Sequence, residues 1–129
     1  MAGKKDQPDP EFEIRFFENI LKERPNFEEA LIALGDLYTK AGFYAQGLEV
    51  DLRLSRLRPD DGVVFYNLAC DHSLLNNIDA AFKSLATAII LGYREWRFMQ
   101  QDPDLEKLRR DQRFSQLLEK MKDKSPGLR

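Results

Sequence analysis

Residues 28–61 read EEALIALGDLYTKAGFYAQGLEVDLRLSRLRPDD. Leu31, Leu34 and Tyr38 recur at helical spacing until Ala41 and Gly42, and Asn26 stands just ahead as a capping residue, which predicts one helix. A further helix is predicted from about Tyr44 to Leu57, with Leu48, Leu52 and Leu54 inward and Pro59 as its stop.

The same pattern repeats outward from this stretch. Pro25 and Pro59 are 34 residues apart, and a further 34 reaches Tyr93, immediately after Gly92. That period superposes Ile14, Leu48 and Phe82; Ile20, Leu54 and Ala88; Leu31 and Phe65; Leu34 and Leu68; Gly35 and Ala69; Tyr38 and His72. Apolar meets apolar and small meets small, as expected of units that bury their apolar faces by stacking on one another. Upstream, Asp9 and Pro10 read as an N-cap and first helical residue of a helix reaching about Arg24. Downstream, Asp60 or Asp61 can cap a helix carrying Phe65, Leu68 and Ala69, which ends near Asn76 and Asn77. Ile78, Phe82, Leu85, Ala88 and Ile89 mark the next, closed by Gly92, and Phe114, Leu117, Leu118 and Met121 give a final amphipathic one. Sustained period-two alternation and hairpin turn signals are absent, so the expected class is all-α.

Composition bounds the function classes. A chain of 129 residues, 43% hydrophobic and 33% charged, fits one globular domain. The net charge of −2 sets no strong field. The ten basic against seven acidic residues after Tyr93 are interspersed, unlike the clustered stripe of a nucleic-acid binder. The single cysteine, Cys70, forms no internal disulfide, and no cysteine and histidine cluster has the spacing of structural zinc. Neither an apolar leader core nor a membrane-length apolar run is found, so a cytoplasmic setting is expected.

The stretch from Glu28 to Asp61 resembles a tetratricopeptide repeat (TPR). Leu31 occupies the usual tryptophan position, Leu34, Gly35 and Tyr38 match the first helix, and Gly42, Tyr44 and Pro59 match the turn and closing proline. Gly47, Asp51 and Leu54 depart from the usual residue types. The next repeat keeps Phe65, Leu68, Ala69, Ala81 and Ala88, with His72 at the tyrosine position and no closing proline. Beyond it, Leu91-Gly92-Tyr93, Asp102-Pro103-Asp104-Leu105, Leu108-Arg109, Asp111, Arg113-Phe114 and Leu117-Leu118 are similar to the closing segment of many bacterial TPR proteins, with Trp96, Phe98 and Met99 expected over the fifth helix. The resemblance implies a helix-turn-helix solenoid forming one domain over residues 9–123: a half repeat at 9–25, repeats at 28–61 and 62–95, and capping helices at 96–123. Residues 1–8 and 124–129 are expected to be disordered.

Chemistry-bearing residues are sparse. Cys70 and His72 lie two apart on one helix and point to different faces, which does not suit a metal pair, and His72 reads as a packed core group. Asp102, Asp104 and Asp111 lack calcium-loop spacing, and Asp102 or Asp104 reads as a helix cap. With one histidine and no phosphate-binding glycine loop or nucleophile elbow, an enzyme is not expected, nor a metal, cofactor, nucleic acid or membrane as ligand.

What the resemblance implies instead is a module that binds another protein or peptide. Its concave groove would be lined by Glu29, Ile32, Ala33, Asp36, Thr39 and Lys40, by Val63, Tyr66, Asn67, Cys70 and Ser73, and by Arg97 and Gln101. Of the lysine, asparagine and arginine residues with which some TPR domains clamp acidic chaperone tails, only Asn67 and loosely Arg97 are matched. The alternative is self-association at the N-terminal edge, possible as a homodimer. The apolar residues of the first helix span an arc of roughly 200°, too wide for one buried stripe, which leaves Phe12 and Phe16 exposed.

Overall fold

A computed structural model describes residues 9–123; the disorder expected at 1–8 and 124–129 falls outside them. The chain divides into two compact units, one ending at Leu57 and one beginning at Arg58. The described residues form helices and no strand.

The first unit holds α1 (Pro10–Glu23), α2 (Glu28–Lys40) and α3 (Tyr44–Leu57). The Asp9 carboxylate accepts from Glu11 N at 3.2 Å, and Pro10 takes the first helical position, where the missing N–H costs nothing. The start of α2 corrects the sequence expectation. Phe27, not Asn26, is the capping residue: its extended backbone turns the chain and its carbonyl accepts from Leu31 N at 3.1 Å. No side chain caps this end; Glu28 and Glu29 in the first turn complement the helix dipole.

On α3 the buried positions are Gly47, Val50, Asp51 and Leu54. Leu52, expected inward, is exposed, because it sits two residues, or about 200°, from Val50 on the helix. Gly35 lets α2 and α3 approach: a Cβ there would stand 2.7 Å from Asp51 Oδ1 and 3.6 Å from Val50 Cγ2. Tyr38 donates its hydroxyl to Glu18, tying α2 to α1.

The second unit contains α4 (Gly62–Leu74), α5 (Ile78–Ile90), α6 (Trp96–Gln101), a 3-10 turn (Pro103–Leu105), α7 (Glu106–Arg109) and α8 (Gln112–Asp123). Asp61 caps α4 by accepting from Val63 N at 3.0 Å. A core of Ala69, Ala81, Phe82, Leu85, Ala88, Met99, Leu105, Leu108, Phe114, Leu118 and Met121 joins α4 and α5 to the C-terminal helices.

The 34-residue period runs through the backbone as well as the side chains. The bounds of α2 and α4 differ by 34 residues at both ends, and so do those of α1 and α3. The turns correspond bond for bond: Phe43 N donates to Tyr38 O and Asn77 N to His72 O, both at 2.8 Å, while Gly42 N donates to Thr39 O and Asn76 N to Ser73 O. These are Schellman closures, which place one residue in the left-handed region. Gly42 supplies it after α2 (φ +85°) and Asn76 after α4 (φ +66°). A side chain in that region costs about 1–2 kcal/mol, less for asparagine than for most residues. Asn76→Gly is therefore expected to stabilise the protein by a few tenths to about 1 kcal/mol, and Asn76→Val to destabilise it by about 1–2 kcal/mol. Urea unfolding curves that put the valine variant level with wild type would show that this turn adapts without strain.

Candidate partner-binding surfaces

In the first unit, Glu29, Ile32, Asp36 and Lys40 follow one another at i, i+3, i+7 and i+11 on α2, which places them on one helix face. All four are exposed, Ile32 at 45%. Lys40 Nζ lies 3.0 Å from Asp36 Oδ2, so this face carries a mutually neutralised pair with an apolar residue one turn away. On α1, Phe12 and Phe16 are exposed at 62% and 51%, and the Phe16 ring meets Phe17 edge-on at 5.1 Å. Ile14 is buried, and Phe17 and Leu21 are half-buried.

The second unit departs from expectation at three residues, of which Ser73, read as lining the groove, is fully buried because it lies on the packed face of α4. Tyr66, read as an exposed binding aromatic, is only 4% exposed, and Cys70, read as lining the same groove, is buried. The Tyr66 ring stacks on Tyr93 at 4.4 Å with its other neighbour, Phe98, at 6.1 Å. Its hydroxyl donates to Asp102 Oδ2 at 2.5 Å, and the Cys70 thiol approaches the same oxygen at 3.7 Å. The remaining carboxylate oxygen accepts from Asp104 N at 3.0 Å and caps the 3-10 turn. Asp102 is thus the capping aspartate of the pair named from sequence, and it also anchors α4. Arg109 closes the arrangement by donating to Met99 O and Asp102 O at 2.9 and 2.7 Å.

Burial and the neighbouring carboxylates push the Cys70 thiol well up, and burial pushes the Tyr66 hydroxyl up. Burial beside Asp102 also raises the Asp104 carboxyl. Cys70, Asp102 and Asp104 hold ligand-type atoms within 4.8 Å of one another. A thiol kept protonated and a carboxylate spent on three donors suit a structural hub better than a metal site, whose ligands must be deprotonated and free. Cys70 is expected to react with a disulfide reagent on the order of a hundredfold more slowly in the native protein than in urea, since attack needs local opening and a thiolate. Equal rates would mean that the thiol is not covered in the native protein.

His72 is half-buried; its Nδ1 is buried without a hydrogen-bond partner among the described residues, and burial lowers its pKa, which favours the neutral ring. What remains open in this unit is Val63 and Asn67 on α4 with Arg97, Phe98 and Gln101 on α6. The Arg97 guanidinium lies 5.2 Å from the Trp96 ring centre. Phe98 is not among the residues that sequence assigns to partner binding. Expected over the fifth helix with Met99, it is instead 54% exposed while Met99 is fully buried. Consecutive helical residues differ by 100°, and on this short helix Met99 takes the inward direction while Phe98 is turned away from it.

No helix among the described residues is long and apolar enough to cross a membrane. No family model matches the chain. A 100-residue stretch is 34% identical to a chloroplastic protein of Arabidopsis thaliana, and covers 75% of this chain and 30% of that protein. The chain thus spans less than a third of that relative's length.

Proposed function

We propose that the chain is a TPR-type recognition module without enzymatic activity, and that it binds a peptide or helix of another protein along the exposed faces of α2 and α4. The observation that carries this reading is the repetition of helix bounds and turn hydrogen bonds at an interval of 34 residues. A 34-residue helix-turn-helix unit is the repeat length of TPR proteins, whose repeats present equivalent faces for binding. Each unit offers its own candidate surface: Glu29, Ile32, Asp36 and Lys40 in the first, and Val63, Asn67, Arg97, Phe98 and Gln101 in the second. Exposed Phe98 and Arg97 supply residue types suited to binding, and Asn67 can pair with a peptide backbone. Tyr66 and Cys70 move from contact residues to support, because their polar atoms are already engaged with Asp102. The same engagement argues against a catalytic role for Tyr66, Cys70 and Asp102. A cytoplasmic setting remains part of this proposal, beside the chloroplast that the relative's name gives for that protein.

Photo-crosslinking side chains at Ile32 and Asn67 test the reading in cells. They are expected to yield a protein adduct that a probe at exposed Glu119 on α8 does not. The same adducts from all three positions, or none from the first two, would count against recognition on these faces.

A further inference from the structure

A second surface, distinct from the proposed peptide face, lies between α5 and α8. Phe82, Ala86 and Leu117 form the floor of a cleft of about 270 Å³, with Lys83, Arg113 and Lys120 around it and no carboxylate among its lining residues. It is smaller than the roughly 300–1,000 Å³ of small-molecule pockets, and suits side chains of a docked segment better than a whole ligand. Arg113 is committed: its guanidinium pairs with Asp79 at 2.9 Å and Asp111 at 2.8 Å and lies 4.5 Å from the Phe82 ring centre. Lys83 and Lys120 make no ion pair among the described residues. The cleft therefore asks for an apolar side chain with negative charge beside it.

α1 carries that complement. Taken at 100° per residue, Asp9, Phe12, Glu13, Phe16 and Glu23 fall within an arc of roughly 100°, while Arg15 and Lys22 lie outside it. Phe12 and Phe16, one turn apart, are among the most exposed large apolar side chains of the described residues. Each surface lacks what the other supplies: apolar rings with acids on one, an apolar floor with unpaired lysines on the other.

We infer that the chain self-associates head to tail, α1 of one copy seating Phe12 and Phe16 in the α5–α8 cleft of the next. Such a contact is heterologous: a dimer joined by it keeps a free α1 at one end and a free cleft at the other, so assembly continues past the dimer, either openly or to a closed ring of three or more copies. The patch is small and the attraction partly ionic, so association is weak and falls as salt rises.

Sedimentation equilibrium of the whole chain over a concentration series up to the millimolar range, at low and high salt, tests this. The weight-average mass of the wild type is expected to rise past the dimer at low salt and to fall back at high salt. Phe12→Ser with Phe16→Ser, and separately Lys83→Glu with Lys120→Glu, should each run as monomers. Mixed together, these two variants should form a dimer that grows no further, because one retains an intact cleft and the other an intact α1. Arg15→Glu with Lys22→Glu, which changes net charge as much as the lysine pair, should associate like wild type. None of the altered residues belongs to the buried core cluster, so each variant is expected to fold, and helical circular dichroism checks that it does. A wild type that stays monomeric, one that saturates at a dimer, or a variant mixture that fails to pair overturns the proposal.

Discussion

Asp102→Ala is expected to destabilise the protein by about 2–4 kcal/mol, more than any exposed charge on the chain would suggest. Two losses add. The 3-10 turn loses the side chain that accepts from Asp104 N, and a lost cap of this kind costs about 1 kcal/mol. The Tyr66 hydroxyl, in a side chain only 4% exposed, loses its acceptor, and an orphaned buried donor costs about 1–3 kcal/mol. The two parts are separable. Tyr66→Phe in the Asp102→Ala background removes the orphan, so the double variant should lose less than the sum of the singles. Asp102→Asn keeps an oxygen for Asp104 N and should cost less than alanine. Urea unfolding of the four proteins measures the cycle; strict additivity would show that the Tyr66 hydroxyl finds water when Asp102 is gone.

This hub also marks where the sequence stops being legible. The local features are readable because local rules set them: Asp9 with Pro10 starts α1, Gly42 and Gly92 end helices at positive φ, and the apolar spacing carries the helix faces. The limit appears when Ile32 and Tyr66 are compared. They are 34 residues apart and occupy equivalent positions on α2 and α4, so the period predicts one environment for both. Ile32 is 45% exposed and Tyr66 is 4% exposed. The difference comes from Tyr93 and Phe98, which close on the Tyr66 ring, and from Asp102, 36 residues on, which accepts a hydrogen bond from its hydroxyl. Periodicity places a residue on a helix face but does not say which later segment returns to cover that face. Leu52 shows a different limit, since an exposed leucine violates no rule of burial and leaves no signal in the sequence. Asn26 shows a third: a good capping residue one position early is passed over when the backbone turns at Phe27.

Phe114→Ala should have the largest effect, about 3–5 kcal/mol, which is the usual cost of removing a buried phenylalanine ring. Phe114 is buried on α8 within the same core as Phe82, Leu85, Leu108, Leu118 and Met121. The visible polar tie of α8 is Arg113, but its pair with Asp79 is solvent-exposed and its pair with Asp111, the residue just ahead of α8, only part-buried, and such ion pairs contribute little and weaken with salt. Apolar burial therefore decides whether α8 docks, and added salt should not release it. Trp96, the single tryptophan, reports the outcome directly, because Lys122 of α8 lies 5.0 Å from its ring centre. In Phe114→Ala under native conditions, Trp96 emission is expected to shift to the red as α8 loosens, with the melting temperature lowered. Phe114→Leu, which keeps most of the buried volume, should move both far less. With total stability of a domain typically about 5–15 kcal/mol, the alanine variant gives up a large fraction of what holds the second unit folded. An unchanged melting temperature with unchanged Trp96 emission would mean that α8 is not packed through Phe114.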